Sequence, residues 1–302
     1  MPNTQKVADG IFLIDAMMWF PDMASAYLVA GKSVALVETG LSTSAPHILE
    51  GMKELGFRRE DISYVIVTHA HLDHAGSAGI LMREFPRARL ISHKLGAPHV
   101  IDPSRLMNGA KRSLGEKIAN DYRLDLVVPV DAGRIDTVEG GEIMDLGGRS
   151  LEIIHTPGHA PYHISPYERE HRALFTGDLL GGYDLKYDDL CPFTPAPEFN
   201  LEVTLESINK LKLMEIEMLL FSHFGPSRQV ERLLNMAIQK HTRWGEICEK
   251  AWRERGSLEY VSHELLGQIR NDGAYMPDWL NVESATMCAQ GFLNDLKRKS
   301  LN

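Results

Sequence analysis

Apolar and polar positions alternate along this chain with a period that switches between two and nearly four. From Ala26 to Thr39 the order A-Y-L-V-A-G-K-S-V-A-L-V-E-T gives two β-like runs folded about Gly31-Lys32, a hairpin. Between Ser44 and Gly56, Ile48, Met52 and Leu55 recur at helical spacing, with Pro46 near the start and Gly56 at the end, so a helix is predicted. Tyr64 to Val67 is a continuous apolar run, the mark of a buried strand, and a loop and helix follow it as far as Phe85. Leu90 to Ser92 reads as the next strand. The stretch Gly96 to Asn120 is polar, mixed and broken by Pro98, Pro103 and Gly109, which predicts an insertion of short helices. Gly140-Gly141 and Gly147-Gly148 frame two strands leading through Leu151 to His155. Leu201 to Leu213 is helical, Met218 to Phe221 is predicted as the final strand, and from Val230 the pattern stays helical. Two clusters of strands with helices between them give an α/β domain over 1–230, and a helical extension follows over 231–302.

Composition narrows the class of protein. With 302 residues, 44% of them hydrophobic, the chain can bury one large core plus a small appendage, so disorder is not expected. The apolar stretches Ile11 to Ile14 and Ala16 to Phe20 are separated by Asp15 and fall short of the roughly 20 residues a membrane span needs. The start lacks a basic segment followed by an apolar one, so a cytoplasmic location without membrane partners is expected. Cys191, Cys248 and Cys288 form no C-x-x-C pair, which indicates neither a disulfide framework nor a thiolate metal site. A formal charge of −9, with no basic block beyond the terminal K-R-K, argues against a broad nucleic-acid surface. A small-molecule substrate is expected instead, and a homodimer is compatible with the chain. The G-K-S at Gly31 is no phosphate loop: the position five residues earlier is Ala26, and a strand follows where a helix is needed.

Between Thr68 and Gly76 the chain reads T-H-A-H-L-D-H-A-G, placing His69, His71, Asp73 and His74 within six positions directly after the buried run. Neutral imidazoles packed beside a carboxylate are costly unless hydrogen-bonded or coordinated, and His nitrogen with Asp oxygen suits borderline cations. Further candidates follow β-like runs: His159 in H-T-P-G-H, Asp178 ending A-L-F-T-G-D, and His223 in F-S-H-F-G. Each sits beside Gly or Pro, which let the chain turn sharply at a site. Seven ligands in four such places suit two metal ions.

This constellation resembles the metallo-β-lactamase fold superfamily, and more closely its hydrolases of the glyoxalase II and lactonase branch, over Val7 to Gln229. The resemblance implies a four-layer αββα metallo-β-lactamase sandwich with its ligands on one edge and a helical C-terminal extension. It also implies that His69, His71 and His159 hold one metal, that Asp73, His74 and His223 hold the other, and that Asp178 bridges them. Where relatives carry Asp in a Leu-Ile-Asp-Thr-Gly turn this chain has Glu38 in L-V-E-T-G, an acid expected to orient a ligating residue from behind. After H-T-P-G-H come Pro161, Tyr162 and His163, a stiffer and bulkier continuation than the family's small residue and Gly.

Two divalent cations about 3.5–4 Å apart can share a bridging hydroxide and stabilise the oxyanion its attack creates. The expected reaction is therefore attack of a metal-bridging hydroxide on an ester, thioester or lactone carbonyl, with Asp73 and Asp178 the catalytic carboxylates. Zinc is the default metal, and iron or manganese suit the same ligands. A mononuclear iron persulfide dioxygenase, using only His69, His159 and Asp178 by resemblance, is one alternative. A phosphodiesterase or ribonuclease is the other, disfavoured by the acidic balance. Substrate contacts are expected from Trp19, in the apolar run Met17 to Pro21, and from Tyr183, His163 and, by resemblance, Tyr275. His93 and His99 are weaker candidates of the same kind.

Overall fold

The computed structural model describes residues 3–111, 122–271 and 282–300. These form two compact units, one comprising Met1–His155, Tyr162–Gly177 and Glu217–Arg228, the other Thr156–Pro161, Asp178–Ile216 and Gln229–Asn302. The second unit thus takes in two stretches that precede position 230 as well as the helical extension.

In the first unit, β1 (Thr4–Ala8), β2 (Ile11–Asp15), β3 (Ser25–Ala30) and β4 (Val34–Val37) run as an antiparallel meander, and the predicted hairpin is β3–β4. Helix α1 (Ala45–Glu54) buries Ala45, Ile48, Gly51 and Met52. Gly51 is needed because a Cβ there would lie 2.6 Å from Ile14. Next come β5 (Ile62–Ile66), the short helices α2 (Leu72–Ala75) and α3 (Ala78–Glu84), β6 (Arg89–His93), α4 (Ala97–Ile101) and β7 (Ile135–Val138). Strands β1 to β7 lie in sequence order in one seven-stranded sheet, parallel from β4 onward. Of the predicted insertion, α4 is described while 112–121 lie outside the described residues.

The second sheet contains β8 (Ile143–Asp145), β9 (Ser150–His155), β10 (Ile164–Glu168) and β11 (Ala173–Gly177). A separate hairpin of β12 (Gly182–Asp184) and β13 (Asp189–Cys191) belongs to the other unit. The sheet is completed by β14 (Met218–Phe221) and a two-residue strand β15 (Pro226–Ser227), in the order β15-β14-β11-β10-β9-β8. The last strand is therefore β15, where β14 was predicted; two residues are too few for any pattern. The inner faces of the two sheets share one core, with Leu13, Val29, Val37 and Ile66 from the first meeting Ile153, Ile164, Phe175 and Leu220 from the second. Each such side chain stabilises by about 1.5–3 kcal/mol on burial. Tyr27 adds a polar link across that core, its hydroxyl donating to the Phe221 carbonyl at 2.7 Å, and burial pushes its phenol pKa up.

The second unit is helical: α5 (Leu201–Leu211), α6 (Val230–Arg255), α7 (Leu258–Asn271) and α8 (Val282–Ser300). Asn200 caps α5 by accepting from Val203 N, and Gly256 closes α6 at φ +59°, a left-handed position that suits glycine. Trp244, Val261, Leu265, Ala289 and Phe292 form the core, with Trp252 and Tyr260 packed against it. Cys191, Cys248 and Cys288 are buried and unpaired, their thiols pushed up by burial, as suits packing residues. No described helix is long and apolar enough to cross a membrane.

Candidate metal centre

The apolar strand β5 runs buried into Val67, and the chain turns immediately after it. His69 follows on the turn, His71 occupies the extended N-cap position of α2, and Asp73 and His74 lie within that single helical turn. Leu72 is 8% exposed and packs inward, so the polar residues flanking it face another way. His69 and His74 are each 1% exposed. His69 Nε2 lies 2.9 Å from His71 Nδ1, and His74 Nε2 lies 3.3 Å from the Nε2 of His223, which follows β14. Asp73 Oδ2 lies 3.9 Å from His74 Nε2 and 3.7 Å from His223 Nε2.

In the second unit, His159 Nε2 lies 3.5 Å from Asp178 Oδ2. The loop bearing His159 is held by Ser207 Oγ donating to the Pro157 carbonyl at 2.6 Å and Asn200 N donating to that of Gly158 at 2.8 Å. Gly158 adopts φ +139° against the backbone of Thr204, which would meet a Cβ at 2.5 Å. Ligand atoms of His69, His71 and His159 lie within 4.8 Å of one another, as do those of Asp73, His74, Asp178 and His223. All seven sequence candidates thus fall into two groups.

The hydrogen bonds behind these imidazoles decide whether a cation fits. His74 Nδ1 meets Glu38 Oε1 at 3.1 Å, His223 Nδ1 meets the Met23 carbonyl at 2.7 Å, and His159 Nδ1 meets the Phe193 carbonyl at 3.0 Å. Each partner is an acceptor, so each Nδ1 carries a proton, and a ring in its neutral form presents a lone pair at Nε2. The lone pairs of His74 and His223 therefore face each other at 3.3 Å, and that of His159 faces a carboxylate oxygen. Such an arrangement repels itself and attracts a cation, and the donor set suits zinc, iron or manganese.

Glu38 gathers the ligand segments from behind. Its Oε1 accepts from Thr68 Oγ at 2.6 Å, from Ser222 Oγ at 2.8 Å and from His74 Nδ1, while the whole residue is 2% exposed. Thr68 and Ser222 immediately precede His69 and His223, a link not read from the sequence although both lie inside the ligand motifs. Tyr162 was also missed: its ring centroid is 6.4 Å from that of His71 and 5.6 Å from that of His99.

The expected substrate residues are placed differently from one another. Trp19 is 42% exposed. Tyr183 is 6% exposed and its hydroxyl donates to Asp188 at 2.6 Å, which helps hold that carboxyl below its ordinary range. His163 is fully buried, 5.2 Å ring to ring from His69 and close against Gly177. Tyr275 lies outside the described residues. His93 stacks on His155 at 4.5 Å and is pushed down by burial first and that neighbour second. A third group with metal-like spacing, Glu168, Glu170 and His171, already holds a cation, because the Arg149 guanidinium reaches Glu168 at 2.9 Å and Glu170 at 3.0 Å.

Comparison with known proteins bears on the family. The sequence pattern of the Metallo-beta-lactamase superfamily matches residues 19–223. The metallo-beta-lactamase fold-containing protein ST1585 of Sulfurisphaera tokodaii is 26% identical over 209 residues, 68% of this chain and 74% of that protein. Its crystal structure superposes with a TM-score of 0.66, covering 76% of this chain and 85% of that one at 25% identity. The acyl-coenzyme A thioesterase MBLAC2 of Homo sapiens is 24% identical over 265 residues, 82% of this chain and 88% of the relative. The hydroxyacylglutathione hydrolase GloC of Haemophilus influenzae is 29% identical over 151 residues, 49% of this chain and 62% of the relative. With its two-sheet α/β sandwich and a pattern match across two thirds of its length, the chain belongs to the metallo-beta-lactamase superfamily of metallo-hydrolases.

Proposed function

We propose that the protein is a dinuclear metal-dependent hydrolase of thioesters, with esters and lactones as related substrates. The observation that supports this most is the division of seven ligands into two groups, each with its ligand atoms within 4.8 Å. A mononuclear dioxygenase would have no use for the second group. The relatives named as an acyl-coenzyme A thioesterase and a hydroxyacylglutathione hydrolase both support the thioester class.

When bound, two divalent cations, zinc by default, supply a water of lowered pKa and positive charge opposite a substrate carbonyl. The chain's own residues do the rest. The carbonyls of Met23 and Phe193 fix the tautomers of His223 and His159, so their Nε2 atoms stay unprotonated and correctly aimed. Glu38 does the same for His74 and ties the Thr68 and Ser222 hydroxyls to the same oxygen. Asp73 and Asp178 balance charge, and Asp178 Oδ2 is the atom assigned to carry a proton to the leaving thiolate or alkoxide.

Elemental analysis of metal-loaded, desalted protein should find close to two transition-metal ions per chain. The same preparation should hydrolyse one of a panel of thioesters, esters and lactones without needing oxygen. Asp178→Ala should stay folded and lose turnover by orders of magnitude. A ceiling of one ion with oxygen-dependent turnover would refute the proposal.

A further inference from the structure

Four of the five ligand imidazoles, those of His69, His74, His159 and His223, are buried and have Nδ1 on an oxygen. His74, His159 and His223 use Glu38 and the Phe193 and Met23 carbonyls, and His69 Nδ1 lies 3.1 Å from Thr68 Oγ. Because that hydroxyl donates to Glu38 at 2.6 Å, it is left to accept from His69. His71 differs from the other four. It is half-buried, it stands at the extended N-cap of a helix of four residues, and it turns Nδ1 rather than Nε2 inward, 2.9 Å from His69 Nε2. A side chain on so short an element, partly in water, has more than one rotamer open to it, and a wrong one carries the nitrogen out of its group.

The ring that stands against His71 is that of Tyr162. The two planes meet at 80° with centroids 6.4 Å apart, the edge-to-face arrangement in which the positive edge of one ring meets the negative face of another. Tyr162 itself is 2% exposed. Its other neighbours are the His99 ring, 5.6 Å away at 51°, and Gly96, where a Cβ would lie 3.4 Å from Tyr162 Cδ2. Two residues further on, Ile164 N donates to the Thr68 carbonyl at 2.8 Å, which ties this segment to the turn carrying His69. Pro161 narrows the backbone choices just before it. Tyr162 is therefore a buried, well-packed ring beside the one ligand imidazole that burial leaves half-free.

We propose that Tyr162 is a positioning residue for the metal group of His69, His71 and His159, holding the His71 imidazole in the rotamer that keeps Nδ1 inward and so raising the affinity of that group for a divalent transition metal. A ligand ordered before the ion arrives spares the cost of ordering it on binding. The inference rests on the metal reading above and not on the substrate or the reaction.

The test is zinc affinity, measured on the full chain by competition with chromophoric chelators, for wild type, Tyr162→Phe, Tyr162→Leu and Tyr162→Ala. An edge-to-face aromatic pair corresponds to about a two- to twelvefold change in an equilibrium constant. The Leu and Ala variants should therefore bind one ion that much more weakly and leave the other unchanged, while Tyr162→Phe, which keeps the ring, binds both as wild type does. Tyr162→Leu fills most of the same space and serves where the Ala variant does not fold. A double-mutant cycle with His71→Ala separates positioning from general loosening: once that imidazole is gone, Tyr162→Leu should have no further effect on zinc affinity. An unchanged affinity in Tyr162→Leu, an equal loss with and without His71, or a Phe variant as weak as the Leu variant would overturn the inference. A single ion per chain, weakened by Tyr162→Leu and not by Tyr162→Phe, would uphold the positioning role while removing the dinuclear reading.

Discussion

Glu38 is the residue whose removal should disturb this protein most for its size. One of its oxygens accepts three buried donors, at 2.6 Å from Thr68, 2.8 Å from Ser222 and 3.1 Å from His74. Stranding a buried donor costs about 1–3 kcal/mol, and two of the three are hydroxyls that can turn toward other acceptors. Glu38→Ala should therefore destabilise the metal-free protein by about 4 kcal/mol. Glu38→Gln keeps an oxygen of the same reach but loses the negative charge, at about 1 kcal/mol for each bond, so about 2–3 kcal/mol is expected. Glu38→Ala also frees His74, and losing such a supporting contact weakens metal binding about 10–100-fold. Urea unfolding of metal-free protein near neutral pH measures the first effect. Competition with a chromophoric chelator measures the second, which should fall on the ion held by Asp73, His74 and His223. If Glu38→Ala unfolds at the wild-type urea midpoint and holds both ions as tightly, the carboxylate does not organise the site.

Gly158→Ala would place a Cβ 2.4 Å from Thr204 Oγ1 at φ +139°, so denaturation should show a loss of about 3 kcal/mol and the ion held by His159 should bind more weakly. Burial drives His241 from 6.5 down to about 4, so the unfolded chain takes up that proton before the folded one does. Its contribution is complete above pH 6.5 and is lost as pH falls toward 4, by about 3 kcal/mol, and unfolding of His241→Leu measured across that window should show a shallower pH slope. Arg149→Met leaves the fully buried Glu168 without its guanidinium and should cost about 3–5 kcal/mol in thermal or chemical unfolding, much of it restored by also replacing Glu168 with Leu.

Some of this molecule could be read without coordinates because its signals lie close together in the chain. The β3–β4 hairpin turns where Gly31-Lys32 interrupts two apolar runs, and α1 has Pro46 in its first turn and Gly56 just past its end. The cluster from His69 to His74 is dense enough to declare its chemistry alone. Other elements gave no such sign. Strand β1 is an edge whose T-Q-K-V-A lacks a clear alternation. Strand β10 carries Pro166 and a Glu168 that is fully buried, residues that argue against an interior strand unless Arg149 is known to stand beside the carboxylate. Tyr183 read equally well as a substrate contact until its hydroxyl was found on Asp188.

The sequence by itself determined which side chains could bind metal, because imidazole and carboxylate announce their chemistry by type and each follows a strand that must end in a turn. It also set seven such candidates in four separate motifs. Tertiary structure alone decided which nitrogens face inward, since the Met23 and Phe193 carbonyls that set the tautomers are backbone atoms and leave no trace in residue identity. It decided as well that Glu38 reaches residues 30, 36 and 184 positions away with one oxygen, and that Trp19 meets Tyr122. Local pattern records what one turn or strand can do by itself, whereas a shared acceptor or a ring contact exists only once distant segments have been brought within a few ångströms by the burial of the core.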